Sequence, residues 1–355
     1  MASDQQREVL SAGAGLAGTV AVESGTELGQ IEAVRARGYW EQVWRRFRKD
    51  KAAIAGGIFI ILLFLMAFVG APIAAHLLGH GPNDNFTGSA VRNFLPVGPW
   101  THVISSDGGY CTGAQCHHTL LILGADSTLG RDEFLRILYG AQVSLEVAIG
   151  ATIIGMVVGV LMGSMAGFFG GWIDTVISRI TEITMAFPVL LFVVALASTV
   201  GDRLNTITFG VVGQGVVTLV VVIGAFGWYY PARIIRAQVL SLREKEFVEA
   251  ARMVGASDWR IIRSHLLPHL VAPIIVYSTL IVASNILLEA GLSFLGIGIP
   301  LGTPSWGNLL SSGPDYYRTV PLIMVWPGLA VLMATLAFNL LGDGLRDAFD
   351  PRATR

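Results

Sequence analysis

Long stretches without charge divide this 355-residue chain into segments of similar length. A helix needs about 20 mostly apolar residues to cross the hydrocarbon core of a bilayer. Six stretches meet or approach that requirement, so the pattern predicts an all-α integral membrane protein with six transmembrane helices. They are Ala52–Leu78, the run between Glu146 and Asp174, Ile183–Val200, Leu204–Pro231, Leu267–Gly298 and Thr319–Leu341.

The composition supports a membrane location. Hydrophobic residues occupy 53% of the positions and charged residues 14%. Soluble domains carry about 25% charged residues, because water must solvate their surface. The first apolar run follows a polar segment of about fifty residues, so we expect a retained anchor and not a cleaved signal peptide.

The positions of Lys and Arg predict the orientation, since cytoplasmic flanks of membrane helices hold an excess of them. With the N-terminus inside, eighteen basic residues fall on inside segments and five on outside segments. Both termini are therefore expected in the cytoplasm. The predicted organisation is a cytoplasmic tail (1–51), a first transmembrane helix (52–78), an extracytoplasmic segment (79–138), a core of five transmembrane helices (139–343) containing a cytoplasmic loop (232–268), and a cytoplasmic tail (344–355).

Aromatic and basic residues are interleaved just before the first predicted transmembrane helix. Between Ile31 and Lys51, the apolar positions Tyr39, Trp40, Val43, Trp44 and Phe47 recur at spacings of three and four residues. The spacing predicts an amphipathic helix on the inner leaflet, with its bases on anionic lipid. A calmodulin-type partner is the alternative.

Small residues occupy every fourth position along the second predicted transmembrane helix. Such a stripe allows a neighbouring helix to approach closely in lipid. Ordinary close packing is the favoured interpretation, and a sliding contact between moving helices is the alternative. The residues are Ala151, Gly155, Gly159, Gly163, Gly167 and Gly171.

A helix–break–helix pattern follows the fourth predicted transmembrane helix. The first helix breaks at Gly255, and Ser257 or Asp258 can cap a second helix that ends at Pro268. Ala250 and Ala251 are expected to offer a flat face for close docking, and Glu249 offers a charge. Such an elbow can transmit a push from a cytoplasmic partner to the adjoining helices.

Three parts of this elbow carry a resemblance: Glu249-Ala250-Ala251, Gly255 and Leu267-Pro268. Together they resemble the signature loop of bacterial ABC importer permeases, which docks on the ATP-hydrolysing subunit. His265 departs from the general signature, which often has Ile there. Permeases of the dipeptide/oligopeptide/nickel group tolerate His at this position.

The resemblance to the C-type permease of that group covers residues 129–351. The extracytoplasmic segment is long for the family. The further matching motifs are Leu129–Asp132, Tyr139–Leu145, Gly167–Asp174, Ala186–Pro188, Arg236–Glu244, Glu289–Gly296, Pro304–Gly307 and Asn339–Asp347.

The resemblance implies a type I ABC importer permease fold that works by alternating access. The implied partners are a sister permease subunit in a heterodimer, two ATPase subunits, an extracytoplasmic peptide-binding protein and membrane lipid, without nucleic acid. Di- or oligopeptides are the expected cargo, and nickel chelates or oligosaccharides are the alternatives. An ion-driven secondary transporter and a membrane scaffold are more remote possibilities.

The lysines argue against ATP hydrolysis by this chain. A phosphate-binding loop needs Gly-Lys-Ser/Thr, whereas Lys49, Lys51 and Lys245 precede Asp, Ala and Glu. ATP and Mg²⁺ are therefore expected on partner subunits, and this chain is expected to bind no cofactor or metal. No arrangement of Ser, His and Asp suggests a catalytic residue.

Three ionisable residues fall within or at the edge of apolar segments, where each charge costs roughly 2.5–3.5 kcal/mol. Arg179 and Glu182 share a helix face, and mutual pairing is favoured over lining a transport path. Glu289 lies deep in the fifth predicted helix. Hydrogen bonding between helices is favoured there, and contact with cargo is the alternative.

Two cysteines, Cys111 and Cys116, lie in the predicted extracytoplasmic segment. A local disulfide is favoured in an oxidising compartment. Free thiols are one alternative, and metal binding together with His117, His118 and His102 is another.

Overall fold

A computed structural model describes residues 39–86, 90–92, 95–105, 117–196, 199, 215–300 and 302–350. The chain divides into two compact units, Met1–Arg45 and Arg46–Arg355. Helix α1 comprises Tyr39–Phe47. It confirms a helix at the aromatic repeat, and the earlier part of that prediction lies outside the described residues.

Five described helices are long and apolar enough to cross a membrane, and a bent pair of helices makes a sixth candidate. This result confirms the predicted helical membrane architecture. The five are α2 (Lys51–Leu78), α3 (Glu133–Phe169), α6 (Val216–Leu242), α8 (Asp258–Phe294) and α10 (Leu322–Phe349), and the pair is α4 (Gly171–Ala186) with α5 (Val189–Leu196). Two shorter helices are α7 (Glu246–Met253) and α9 (Trp306–Ser312).

The prediction of one helix over Ile183–Val200 is wrong. Helix α4 ends at Ala186, and α5 follows at an angle of 91°. Phe187 is extended between them, with φ −88° and ψ 136°, because the ring of Pro188 disfavours a helical residue before it. Pro188 also lacks the N–H that a continuous helix requires.

Other helices extend beyond the apolar stretches that predicted them. Helix α3 begins at Glu133, well before the apolar run that predicted the second span. Its 37 residues extend about 55 Å, well beyond a hydrocarbon core of about 30 Å. Helices α6 and α10 continue to Leu242 and Phe349, because helical backbone hydrogen bonds can extend beyond the end of an apolar run.

Helix α3 lies at the centre of the fold and contacts α2, α4, α6, α8, α9 and α10. Its small-residue stripe faces α6. A Cβ added to Gly159 would lie 2.6 Å from the Cβ of Pro231, and one added to Gly163 would lie 2.5 Å from the Ala232 carbonyl oxygen. Close packing of two helices is therefore confirmed as a use of the stripe.

In the described part of the segment between α2 and α3, four short strands form two antiparallel pairs, a feature that was not predicted. Strand β1 (Val91–Arg92) pairs with β2 (Leu95–Pro96), and β3 (Thr101–Ser105) pairs with β4 (His117–Leu121). A small core lies beneath them. It comprises Phe86, Ala90, Val97, Val103, Leu121 and Ala125.

Candidate functional site

The predicted break between the two helices of the elbow is present. Gly255 ends α7 with φ +79°, a left-handed conformation that glycine adopts without cost. Its N–H donates to the Arg252 carbonyl at 2.9 Å, and the Ala256 N–H donates to the Ala251 carbonyl at 3.0 Å. These two bonds form a Schellman motif, which fixes the turn between α7 and α8.

The two faces of α7 have different surroundings. Val248 and Ala251 are buried, whereas Glu249 and Ala250 are exposed. The expected two-alanine docking face is therefore not formed, because consecutive helix residues point about 100° apart. Docking of a partner here stays a prediction. The exposed apolar residues around the turn are Met253, Val254 and Trp259, at 83%, 84% and 59% exposure.

The prediction that the second helix of the elbow ends at Pro268 is wrong. It continues as α8 into the membrane-spanning helix, through a π-helical turn over Ile262–Leu266. This wider turn shifts the hydrogen-bond register just before Leu267 and Pro268, where proline supplies no N–H. The second helix of the elbow and the fifth span therefore form one continuous helix.

Glu289 lies in α8 and is fully buried. Its Oε2 accepts a hydrogen bond from the Ser144 hydroxyl of α3, and its Oε1 accepts one from the Ser293 hydroxyl, both at 2.7 Å. The favoured interpretation, hydrogen bonding between helices, agrees with this geometry. Contact between Glu289 and cargo stays untested.

Arg179 and Glu182 form an ion pair on α4. The Arg179 Nη1 lies 2.7 Å from Glu182 Oε2, and the two side chains are 73% and 61% exposed. Glu182 also lines a cavity of about 290 Å³ with Arg233 and Arg236 of α6. Whether these groups line a path stays a prediction.

A second ion pair, between Asp174 of α4 and Arg236 of α6, was not predicted. The Arg236 Nη2 donates to Asp174 Oδ2 at 2.7 Å, and Nε contacts the other carboxylate oxygen. The Arg243 side chain donates to the Gly167 carbonyl of α3 at 3.1 Å. All four residues occur in the matching motifs given above. Their pairing was not predicted, because the partners are far apart in the sequence.

At the opposite end of α3, a buried hydrogen bond joins the first two long helices. His80 follows α2, and its Nε2 lies 2.9 Å from Oδ2 of Asp132, the residue that caps α3. The His80 Nδ1 lies 3.1 Å from the Leu78 carbonyl oxygen. Burial lowers the pKa of His80, but these two acceptors and nearby Asp84 outweigh it and raise that pKa above 6.5.

Asp126 holds two arginines beside this contact. The Arg131 Nη2 and the Arg136 Nε each lie 2.8 Å from Asp126 Oδ2. The Arg136 Nε is not aligned for a hydrogen bond, so this contact is an ion pair. Arg136 Nη1 donates to Asn83 Oδ1 at 2.7 Å. The cluster fastens the segment after α2 to the start of α3.

A cavity of about 420 Å³ lies between α3, α5, α6 and α8. Its volume is within the range of small-molecule sites. None of its lining residues carries a formal charge. The polar and aromatic residues lining it are Phe226, Tyr229, Tyr230, Tyr277, Ser284 and Asn285.

The predicted disulfide between Cys111 and Cys116 lies outside the described residues, as do the side chains of His117 and His118. His102 lies on β3 and is exposed. Within the described part of the chain, no three His, Cys, Asp or Glu side chains are grouped to hold a metal ion.

Two family models match this sequence. The model described as "Binding-protein-dependent transport system inner membrane component" matches residues 159–355. The model described as "N-terminal TM domain of oligopeptide transport permease C" matches residues 38–95. The two matches cover the elbow, the Glu289 region and the first long helix.

Curated relatives and solved structures are also similar to this chain. The glutathione transport system permease protein GsiD of Shigella flexneri is 36% identical over 322 residues, 91% of this chain and 93% of the relative. GsiD of Pectobacterium atrosepticum is 34% identical over 313 residues, 88% and 91% of the two chains. An inward-facing structure of the MetNI methionine ABC transporter has a TM-score of 0.48 and 17% identity, covering 61% of this chain and 97% of that chain.

Proposed function

The chain belongs to the family of binding-protein-dependent transport system inner membrane components, and from this membership we propose that it carries di- or oligopeptides into the bacterial cell. It is a multi-pass permease subunit of an ABC importer in the inner membrane. The observation that best supports active import is the exposed elbow, whose second helix runs without a break into the fifth span as α8.

The elbow is the proposed docking site for an ATPase subunit. Met253, Val254 and Trp259 expose large apolar side chains next to the charged residues Glu249 and Arg260. An exposed apolar patch with a polar rim is typical of a protein-binding surface. A sister permease, two ATPase subunits and an extracytoplasmic peptide-binding protein complete the proposed transporter, with both termini of this chain in the cytoplasm.

Helix α8 supplies the mechanical link in this proposal. It runs for 37 residues from Asp258 to Phe294, about 55 Å. ATP binding by the partners moves α7 and Gly255, and α8 transmits that movement across the membrane. ATP thereby shifts the population between inward-open and outward-open packings, and hydrolysis resets it.

The uncharged cavity between α3, α5, α6 and α8 is a proposed part of the path. Tyrosine hydroxyls can donate hydrogen bonds to peptide groups, and the Ser284 hydroxyl and the Asn285 amide oxygen can accept them, since the donors of those two residues are bonded within the chain. The absence of charge from its lining avoids tight binding of either peptide terminus, which favours release. Relatives named for glutathione transport support a short, peptide-like cargo.

Uptake of labelled di- and tripeptides, including glutathione, by a strain lacking this chain tests the proposal. Restoring the chain should restore uptake, and excess nickel chelate or oligosaccharide should not compete. Competition by either compound would favour that cargo class instead. The permease pair purified without ATPases should hydrolyse no ATP, and ATP-independent, ion-driven uptake would contradict the importer mechanism.

A further inference from the structure

We propose that Glu289 is a positioning residue of the transport cycle, which fixes the linker between α8 and α9 (residues 295–305) to α3 and α8. The inference rests on the proposed function and concerns how movement of α8 reaches the opposite end of the bundle. It is carried by two hydrogen-bond relays that begin at the two oxygens of one buried carboxylate.

The first relay crosses from α8 to α3 and then to the start of α9. The Ser144 hydroxyl donates to Glu289 Oε2 at 2.7 Å. The same hydroxyl oxygen accepts the backbone N–H of Trp306 at 3.4 Å. Ser144 and Trp306 are both fully buried, so water does not compete for these groups.

The second relay stays on α8 and reaches the linker directly. The Ser293 hydroxyl donates to Glu289 Oε1 at 2.7 Å. Its oxygen accepts the backbone N–H of Ile299 at 3.1 Å. The carboxylate therefore orients these two hydroxyls: that of Ser293 holds the N–H of Ile299 within the linker, and that of Ser144 holds the N–H of Trp306 immediately after it.

The arrangement requires an acceptor at both oxygens of residue 289. A serine hydroxyl has one proton, so a serine that donates to Glu289 can only accept from the linker. A glutamine at 289 offers one acceptor and one donor, and it preserves at most one relay. Alanine preserves neither.

Further contacts hold described parts of the linker and the start of α9 in place. The Asn308 side-chain amide donates to the carbonyls of Pro300 and Thr303 at 3.1 and 3.0 Å. A Cβ added to Gly307 would lie 2.6 Å from the Ala290 carbonyl oxygen of α8. The indole Nε1 of Trp306 donates to the Ile137 carbonyl of α3 at 3.1 Å.

This geometry differs from that of a cargo-contact residue. Glu289 is fully buried, and the 420 Å³ cavity is lined by Ser284, Asn285 and Leu288 but not by Glu289. Both carboxylate oxygens already accept hydroxyl protons. Because α8 is continuous from Asp258 to Phe294, the relay moves with the helix that begins at the elbow.

Hydrogen–deuterium exchange of the complete transporter tests the inference. Glu289→Ala should speed exchange of the amides of Ile299 and Trp306 by about tenfold, and Glu289→Gln should give an intermediate increase, because a buried hydrogen bond to a charged group is lost. Ser144→Ala should affect mainly Trp306, and Ser293→Ala mainly Ile299. Unchanged exchange at both amides in Glu289→Ala would overturn the inference.

Uptake kinetics separate positioning from cargo contact. In the positioning model, the two serine variants lower the maximal rate as Glu289→Gln does, with KM unchanged for acidic, neutral and basic peptides. If the serine variants import normally while Glu289→Gln changes KM according to peptide charge, Glu289 contacts cargo and the inference fails. Failure of the wild-type transporter to import any peptide would instead count against the proposed cargo, since the exchange measurement needs no transport.

Discussion

The two ends of helix α8 have opposite surfaces, although one unbroken helix connects them. At the elbow end, Trp259 of α8 and the preceding residues Met253 and Val254 are largely exposed. At the other end, Glu289 and Ser293 of α8 and Trp306 of the neighbouring α9 are fully buried. The first end has apolar surface that a partner can cover, and the second has polar groups that the chain satisfies internally.

This difference indicates how one subunit can combine a reversible contact, at the exposed elbow, with a permanent one, around the buried Glu289. A docking surface must form and separate, so it cannot be covered by its own chain. A carboxylate at membrane depth is costly, and it is retained only with its hydrogen bonds made. We therefore expect replacement of the glycine at the elbow to impair uptake. Replacement of a glycine packed near Glu289 should instead impair stability.

The largest effect on uptake is expected from Gly255→Val at the elbow. Gly255 has φ +79°, and no atom lies within 4 Å of an added Cβ. The penalty is therefore conformational, because a β-branched residue resists the left-handed region. Uptake should be abolished while the amount of inserted protein stays normal, as measured by peptide uptake and quantitative membrane blotting.

The matched control for this position is Gly255→Asn. Asparagine adopts the left-handed conformation more readily than other residues that carry a side chain. This variant should retain much of the uptake. Normal uptake by Gly255→Val would show that the Gly255 turn does not couple the ATPases to α8.

The complementary substitution at the buried end is Gly307→Ala. The added Cβ would lie 2.6 Å from both the Ala290 carbonyl oxygen and the Ser293 Cβ. Overpacking of this kind costs about 1–3 kcal/mol, so the variant should lower the thermal unfolding midpoint in detergent. Gly291→Ala is the control, because an added Cβ there meets no atom within 4 Å. Equal midpoints for the two variants would contradict close packing of α9 on α8.

The fold was largely predictable because membrane helices depend on local composition. Hydrophobic runs identified α2, α3, α6, α8 and α10, but not all of their ends: α3 begins at Glu133, before its run, and α6 ends at Leu242, eleven residues beyond Pro231. The misplaced third span shows the limit of that method. Average hydrophobicity ignores Pro188, whose backbone chemistry bends the chain by 91°. The strand pairs were missed because they have only two to five residues each.

The candidate site was predictable where a motif is local and unpredictable where partners are distant. Gly255 and Glu289 were identified from their immediate neighbours in sequence. The serine that crosses to Glu289 is 145 positions away, and the partner of Asp174 is 62 positions away. Pairing across such distances depends on helix packing, which one sequence does not reveal.

The smallest expected effect is a pH dependence at the buried end of the bundle. Ser312 and Trp306 contact the carbonyls of Asp126 and Ile137, so α9 borders the cluster that includes His80 and its partner. His80 faces acceptors at both ring nitrogens: the Asp132 carboxylate and the Leu78 carbonyl. Asp84 adds negative charge, and the Phe86 ring contacts the imidazole edge-on.

Because folding raises the pKa of His80 above 6.5, protonation stabilises the folded chain. That stabilisation is complete below the unfolded pKa of about 6.5 and is lost as pH rises through the higher folded pKa. The unfolding midpoint of the wild type should therefore decline relative to His80→Gln over this window, by roughly 2–4 °C. Arg179→Gln, which removes an exposed ion pair on α4, should follow the wild-type pH profile. If the unfolding midpoints of the wild type and His80→Gln change with pH in parallel, protonation of His80 does not stabilise the fold. The stability of the junction between α2 and α3 would then be independent of pH in this window.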